Sequence, residues 1–140
     1  MILRIATCSR IKASTREKTL IGPIRVLESI EFYRQQPIPL GDNRFTLRLK
    51  RTSFGLGPKE GRYLEGRADY NYYHGKYIFE EDKGSLSILF LFHTDLNCGG
   101  GSLDGLYYKA LSLARKYKIT EQTLTMTLDE EGGTLVFKAE

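Results

Sequence analysis

The chain has 140 residues, of which 41% are hydrophobic and 27% are charged, a composition typical of one globular domain rather than of a disordered chain. Its longest apolar run, residues 86–92, has the length of a strand and not the roughly 20 residues of a membrane-crossing helix. The net charge of +4 comes from residues 1–20, so the rest of the chain is neutral overall, which disfavours a broad phosphate-binding surface.

A break at Gly22 and Pro23 divides the sequence into two parts. Residues 1–22 mix bases, Ser and Thr without a period, and we predict an N-terminal basic arm or edge strand there. Residues 23–140 contain no linker or repeat and are predicted to form a single domain. Cys8 follows Ile, Ala and Thr, which loosely resembles the end of a bacterial lipoprotein signal, so a lipidated Cys8 is the only membrane attachment that we consider.

The segments of the first half carry strand and loop signals. Residues 24–33 are rich in apolar side chains with a phase change near Leu27, which predicts a bulged strand or two short strand pieces. Residues 44–50 alternate apolar with charged or polar side chains, which indicates a half-buried strand. Residues 53–61 combine glycines with Pro58, so an exposed loop is expected.

The middle of the chain predicts three further strands. Residues 62–70 and 76–80 flank a turn predicted at residues 71–75, in which Gly75 is expected to take a positive φ. Residues 86–92 are largely apolar on both faces, which favours a central strand that is covered on each side.

The last third of the chain predicts one helix followed by a hairpin. Apolar side chains recur at three- and four-residue steps within residues 103–117, the pattern of an amphipathic helix, and Ser102 or Asp104 can cap its start. Residues 123–128 and 134–138 are predicted to form a β-hairpin packed under that helix. The apolar face of the predicted helix consists of Leu103, Leu106, Tyr107, Ala110, Leu111, Ala114 and Tyr117.

No set of residues indicates catalysis, so we predict no enzyme, no metal and no cofactor. His74 and His93 belong to no His-x-x-x-His or Cys-x-x-Cys pattern. A thiol site in which Cys98 acts with His93 and Asp95 is the least favoured alternative, because neighbours in sequence need not form a catalytic pair. Cys8 and Cys98 are otherwise expected to be free thiols.

A cluster of aromatic side chains at residues 63–79 is the densest chemical feature of the sequence, and it leaves three interpretations open. The rings can form the core and rim of a curved sheet, or they can line a pocket for an apolar ligand. Together with the basic segment between Arg44 and Arg67, they can also stack the bases of a single-stranded nucleic acid. The cluster consists of Tyr63, Tyr70, Tyr72, Tyr73, Tyr77 and Phe79.

The order of these features resembles that of the META domain family, also called the HslJ-like or DUF306-type family. Residues 66–77 resemble the family's glycine, Asn and Gly-x-Tyr pattern, residues 94–98 resemble its Thr-x-x-x-Cys element, and residues 107–137 resemble its closing helix and hairpin. Two departures stand out. Tyr70 occupies a position where many members carry a Cys, which excludes a disulfide from there to Cys98, and no Trp marks the first strand.

The resemblance implies an α+β fold in which a mostly antiparallel, strongly curved β-sheet or half-barrel packs on one helix near the C-terminus. It implies no known enzyme activity. It implies a role in the bacterial cell envelope, in the periplasm or as an outer-membrane lipoprotein, or else in the stress response. Without the resemblance, a cytoplasmic location is the default. A monomer that binds a partner protein or an apolar ligand is favoured over a nucleic-acid module. The residues expected to line the ligand site are Tyr70, Asn71, Tyr73, Tyr77, Phe90 and Tyr107.

Overall fold

Eight antiparallel strands close into a barrel in this computed structural model, which describes residues 20–51, 61–80, 82–94, 103–129 and 132–140. Each strand pairs with the next along the chain, and β8 pairs with β1 at seven positions, from Arg25 opposite Ala139 to Phe32 opposite Gly133. The strands are β1 (Arg25–Phe32), β2 (Thr46–Lys50), β3 (Tyr63–Ala68), β4 (Asn71–Glu80), β5 (Ser85–His93), β6 (Ala114–Thr120), β7 (Thr123–Leu128) and β8 (Gly133–Ala139), and the helix α1 (Asp104–Ser112) separates β5 from β6.

The prediction of a half-barrel packed on a helix is therefore wrong, although the mostly antiparallel character of the sheet is confirmed. The sheet curves until its first and last strands meet, and eight strands enclose a space that side chains alone can fill. The helix is one short element of nine residues whose Tyr107, Ala110 and Leu111 are buried in the barrel core, rather than one of two layers.

The end of the predicted helix is also wrong, because α1 stops at Ser112 and residues 114–120 form β6. Tyr117 and Ile119 are half-buried and alternate with exposed Lys116 and Lys118, so the segment follows the period of two of a strand. Pairing with β7 decides the outcome, since the register runs from Ala114 opposite Leu128 to Thr120 opposite Thr123. This strand, β6, is one of the eight that close the barrel.

The turn predicted at residues 71–75 is wrong as well. Those residues begin β4, where Gly75 lies opposite Leu64. The chain turns two residues earlier, at Asp69 and Tyr70, and Asp69 takes a φ of 59° that Asp tolerates better than most residues. Other predictions are confirmed: β1 contains an irregularity between Leu27 and Ser29, and β7 and β8 form the C-terminal hairpin.

The interior of the barrel is packed with side chains that all eight strands and the helix supply. Burying each large apolar side chain contributes roughly 1.5–3 kcal/mol of hydrophobic free energy, so these residues hold the closed form together. The largest fully buried ones are Tyr73, Tyr107, Phe45, Phe137, Leu20, Ile30, Leu47, Leu49, Leu64, Leu86, Leu111 and Leu124.

Some predictions concern parts of the chain outside the described residues. They include the arm at residues 1–22 up to residue 19, nearly all of the loop at residues 53–61, and the two cysteines, Cys8 and Cys98. Leu20, the first described residue, is fully buried, and its carbonyl oxygen accepts a hydrogen bond from the buried Arg25 guanidinium at 3.3 Å. Among the residues described, no helix combines the length and the hydropathy that crossing a bilayer takes.

Candidate functional site

Three of the predicted ligand-binding tyrosines belong to the packed interior. Tyr73 and Tyr77 point inward from β4, and Tyr107 points inward from α1, and all three are buried. The Tyr107 ring stacks on Phe45 with centroids 4.7 Å apart and meets the Tyr73 ring edge-on at 5.6 Å. The Tyr107 ring therefore contacts both Phe45 and Tyr73 in the core.

A hydrogen-bond network joins two of these tyrosines to the wall. The Tyr73 hydroxyl donates to the Thr46 carbonyl oxygen at 2.5 Å, and its oxygen lies 2.6 Å from that of Tyr107. Gly66 makes room for this arrangement, because a Cβ there would lie 2.0 Å from the Thr46 oxygen and 2.7 Å from the Tyr73 oxygen. The Thr46 carbonyl oxygen is thus bonded to Tyr73, and the Arg67 backbone N–H donates to the Thr46 side-chain hydroxyl at 3.0 Å.

Both hydroxyls are held in their neutral form. Burial raises the pKa of Tyr73 well above the ordinary tyrosine value of about 10, and the neighbouring Tyr107 and Tyr108 raise it further. Burial likewise raises the pKa of Tyr107, although its hydrogen bond with Tyr73 acts in the opposite direction. The pair thus acts as neutral hydrogen-bonding groups near pH 7.

Asn71 ties three elements together at one end of the barrel. Its side-chain amide donates to the Asp104 carboxylate at 2.8 Å, and its carbonyl oxygen accepts from the Thr94 hydroxyl at 2.9 Å. The start of β4, the end of β5 and the first turn of α1 meet there. Tyr70, the preceding residue, is exposed in the turn, and the side chain of Phe90 lies outside what the structure describes.

The outer wall of β4 and β5 carries an unusual set of exposed apolar side chains. Along β4 every second residue is buried and the others face outward. Tyr72 is 60% exposed, Phe92 59%, Ile78 48% and Leu89 38%; we call these four residues the apolar stripe. The expectation that both faces of β5 are covered is therefore wrong, because Leu89 and Phe92 face outward from it.

Strand register fixes what lies beside the apolar stripe. Arg48, Glu65, His74 and Phe92 occupy successive opposite positions on β2, β3, β4 and β5. The His74 and Phe92 rings stack with centroids 5.6 Å apart. In this row the aromatic residues thus lie on β4 and β5 and the charged residues on β2 and β3, and the exposed cation Lys76 also faces outward from β4.

A cleft of about 530 Å³ opens on the β2–β3 side of the same wall. Arg44, Arg48 and Arg67 line it, together with Tyr72, and we call it the arginine cleft. The Arg67 guanidinium carbon lies 5.0 Å from the centre of the Tyr72 ring, a cation–π distance. The cleft and the apolar stripe therefore share Tyr72.

The acidic residues at the arginine cleft are engaged in ion pairs. Glu140 pairs with Arg44, and the Glu65 carboxylate lies 3.3 Å from the Lys50 ammonium nitrogen. Within the described parts of the chain, Arg48 and Arg67 have no such acidic partner. Two guanidinium groups thus face the cleft with their charge available.

The histidines are occupied by aromatic neighbours. The His93 ring stacks on Tyr108 with centroids 4.2 Å apart, and its Nδ1 lies 2.9 Å from the Thr94 carbonyl oxygen. His74 stacks on Phe92. Over the described ranges, no three His, Cys, Asp or Glu side chains converge in a way that could hold a metal ion. The alternative built on Cys98 with His93 stays a prediction, because Cys98 is not described.

Comparison with known proteins gives the fold and no activity. No protein-family model and no curated protein matches this chain. An NMR structure of a protein from Burkholderia xenovorans is similar with a TM-score of 0.71 at 25% identity, over 88% of this chain and 85% of that one. Another protein solved by NMR has a TM-score of 0.58 at 20% identity, over 91% and 96% of the two chains.

A third similar structure is the crystal structure of a DUF4847 family protein from Bacteroides vulgatus. Its TM-score is 0.51 at 14% identity, over 69% of this chain and 59% of that one. These three similarities show a shared fold. The resemblance to the META domain family stays a prediction.

Sequence reasoning missed the apolar stripe, apart from Tyr72. The signal was present, since Tyr72, His74 and Ile78 are separated by even numbers of residues and a strand places such residues on one face. The predicted turn at residues 71–75 concealed it. The basic side of the wall was found, because Arg48 lies in the segment between Arg44 and Arg67.

Proposed function

We propose that this protein is a non-catalytic, META-like binding domain that docks a partner protein on the apolar stripe. The observation that carries the proposal is the exposure of Tyr72, Ile78, Leu89 and Phe92 on one wall. Clusters of exposed apolar side chains beside polar ones are typical of protein interaction sites, and aromatic residues are enriched there. The setting in the cell envelope or the stress response comes from the META resemblance alone.

A partner protein is favoured over an apolar ligand inside the barrel. Tyr73 and Tyr107 are in ring contact and share a hydrogen bond, and both are buried. A ligand entering between them would have to separate that pair and leave buried hydroxyls without partners, at about 1–3 kcal/mol for each group. The exposed stripe needs no such rearrangement.

Photocrosslinking in the source organism tests the proposal. A benzoylphenylalanine at position 92 is expected to form an adduct with one protein species, and the same group at the exposed position 118 on β6 is the control. The purified partner should then bind the wild-type chain roughly 30-fold more tightly than the variant Phe92→Ser with Ile78→Ser, a typical effect of losing interface anchors. No adduct, equal adducts at both positions, or an adduct with a second copy of this chain would contradict the proposal of a monomer that docks a partner.

A nucleic-acid module is the second candidate, and one contact favours it. Arg67 lies over the exposed Tyr72 ring, and such a pair can stack a base while the guanidinium meets a phosphate. Binding of an eight-nucleotide thymidine single strand that weakens steeply with salt would support this function. Absence of binding at low salt would exclude it.

A further inference from the structure

We propose that the arginine cleft binds an acidic segment of the partner protein, whose carboxylates pair with Arg48 and Arg67. This inference rests on the proposed function, because it gives the chemistry of the part of the partner that extends beyond the apolar stripe. It assigns the cleft a ligand class, a carboxylate-bearing extended peptide segment.

The charges at the cleft point to an anionic ligand. Three arginines line the cleft, and Glu140 pairs with one of them, Arg44. Glu65 lies opposite Arg48 in register, but its carboxylate pairs with Lys50. Arg48 and Arg67 thus present guanidinium groups that match a carboxylate in shape and charge.

The Tyr72 ring holds one of these guanidinium groups in place. Arg67 lies directly opposite Tyr72 in the register of β3 and β4, and its guanidinium carbon is 5.0 Å from the centre of the ring. A cation that is already positioned loses less conformational entropy when it binds an anion. Tyr72 also remains 60% exposed, so an apolar side chain of the ligand can pack on it.

The arginine cleft and the apolar stripe lie close enough together for one partner to contact both. Arg48 and Phe92 lie on β2 and β5 in one cross-strand row, three strand spacings apart. Neighbouring strands lie about 4.8 Å apart, so the row is roughly 15 Å long. About five residues of extended chain cover that length. A short segment can therefore place carboxylates on the arginines and an apolar side chain on the stripe.

An acidic peptide segment fits this surface better than a nucleic acid does. Ile78 and Leu89 give the surface an aliphatic part that bases and phosphates do not need. Glu65 and Glu140, each paired with a cation, also line the cleft and divide its positive charge into separate positions, whereas a phosphate backbone carries a charge at every nucleotide. Carboxylates spaced along a peptide can meet the two arginines and avoid those positions.

NMR titration of the whole chain tests the inference with defined probes. The ligands are the acetylated peptide Glu-Glu-Phe-Leu-Glu, its counterpart with Gln in place of every Glu, and an eight-nucleotide thymidine strand. The acidic peptide is expected to shift the amide signals of Arg48, Arg67 and Tyr72 at low salt. The Gln peptide should bind at least about tenfold more weakly, a loss of 1.4 kcal/mol.

Charge reversal supplies the matched control. R48E/R67E should weaken the acidic peptide at least about tenfold, whereas K116E/K118E, with the same change of charge on exposed β6 positions, should leave it nearly unchanged. R48Q/R67Q repeats the test if reversal disturbs folding. Equal effects of the two reversals, equal binding of the two peptides, or binding of the thymidine strand alone would each overturn the inference.

The outcome separates this inference from the proposed function. If the adduct at position 92 forms undiminished in R48E/R67E, the partner docks on the stripe without using the cleft. The cleft inference then fails and the proposed function stands. If the adduct is absent from the wild-type chain, the proposed function itself fails.

Discussion

Gly66 occupies the point where the barrel wall comes closest to the tyrosine network. The Thr46 carbonyl oxygen and the Tyr73 hydroxyl both lie where a side chain at position 66 would begin. A backbone carbonyl on β2 cannot move away without disturbing the neighbouring ladder, in which Arg48 lies opposite Glu65. Only glycine therefore permits the hydrogen bond from Tyr73 to Thr46.

We expect Gly66→Ala to lower the free energy of unfolding by about 3 kcal/mol, at the upper end of overpacking effects, because the added methyl group meets backbone atoms. The midpoint of urea unfolding measures this. Gly105→Ala is the control, since nothing lies within 4 Å of a Cβ there and alanine favours a helix by roughly 1 kcal/mol. A Gly66→Ala protein as stable as the wild type would show that the wall adapts at no cost.

At the scale of elements, the stability of α1 depends on its contacts with the barrel. It has nine residues, and its N-cap residue Leu103 makes no side-chain capping hydrogen bond. A helix this short is marginal alone. Burial of Tyr107 and Leu111 and the hydrogen bond from Asn71 to Asp104 therefore hold it against the barrel.

Asn71→Ala is expected to loosen the helix. The change removes hydrogen bonds to Asp104 and Thr94, and the free energy of unfolding should fall by roughly 1–3 kcal/mol. Amide hydrogen exchange in α1 should accelerate more than exchange in β7 and β8. Asn43→Ala, which removes a local hydrogen bond to Leu40, should leave exchange in α1 unchanged. Equal acceleration throughout the barrel would argue against a specific role for Asn71.

The elements also show how far a local pattern can be trusted. The alternation of Leu124, Met126 and Leu128 predicted β7 correctly, because both its pattern and its pairing favour a strand. Residues 114–120 fit two patterns. Ala114 and Tyr117 have the three-residue spacing of the apolar helix face, whereas Tyr117 and Ile119 have the two-residue spacing of a strand. Pairing with β7 decides between them, and a single sequence gives no direct sign of that pairing.

At the scale of the whole molecule, the buried tyrosines link stability to pH. In the unfolded chain both hydroxyls ionise near pH 10, whereas the raised pKa values of Tyr73 and Tyr107 keep them protonated in the fold. Above about pH 10 the folded state binds more protons than the unfolded state, so the free energy of unfolding falls as pH rises. Below that pH the contribution is fully present.

We expect the free energy of unfolding to fall by about 1 kcal/mol for each of the two tyrosines between pH 10 and 11, and by about 1.4 kcal/mol per pH unit above that. Tyr107→Phe should reduce this slope by roughly half, and Tyr72→Phe, which removes an exposed hydroxyl, should leave it unchanged. Urea unfolding at several pH values measures the slope. Identical slopes for the wild type and Tyr107→Phe would mean that another group controls alkaline unfolding.

The sequence by itself determined most of the local structure and part of the candidate site. It predicted the bulged first strand, the half-buried β2, the C-terminal hairpin, a helix beginning near residue 103, and the basic segment that contains Arg48 and Arg67. Each of these depends on side-chain periodicity or charge within a short stretch of chain, which a sequence displays directly.

Only the tertiary structure decided the rest. It closed the barrel through β1 and β8, ended the helix at Ser112, exposed Leu89 and Phe92, and buried Tyr73 against Tyr107. These outcomes depend on which strands pair and on what covers each face. An apolar side chain in a strand indicates that it can be buried, but distant segments of the chain determine whether anything lies over it.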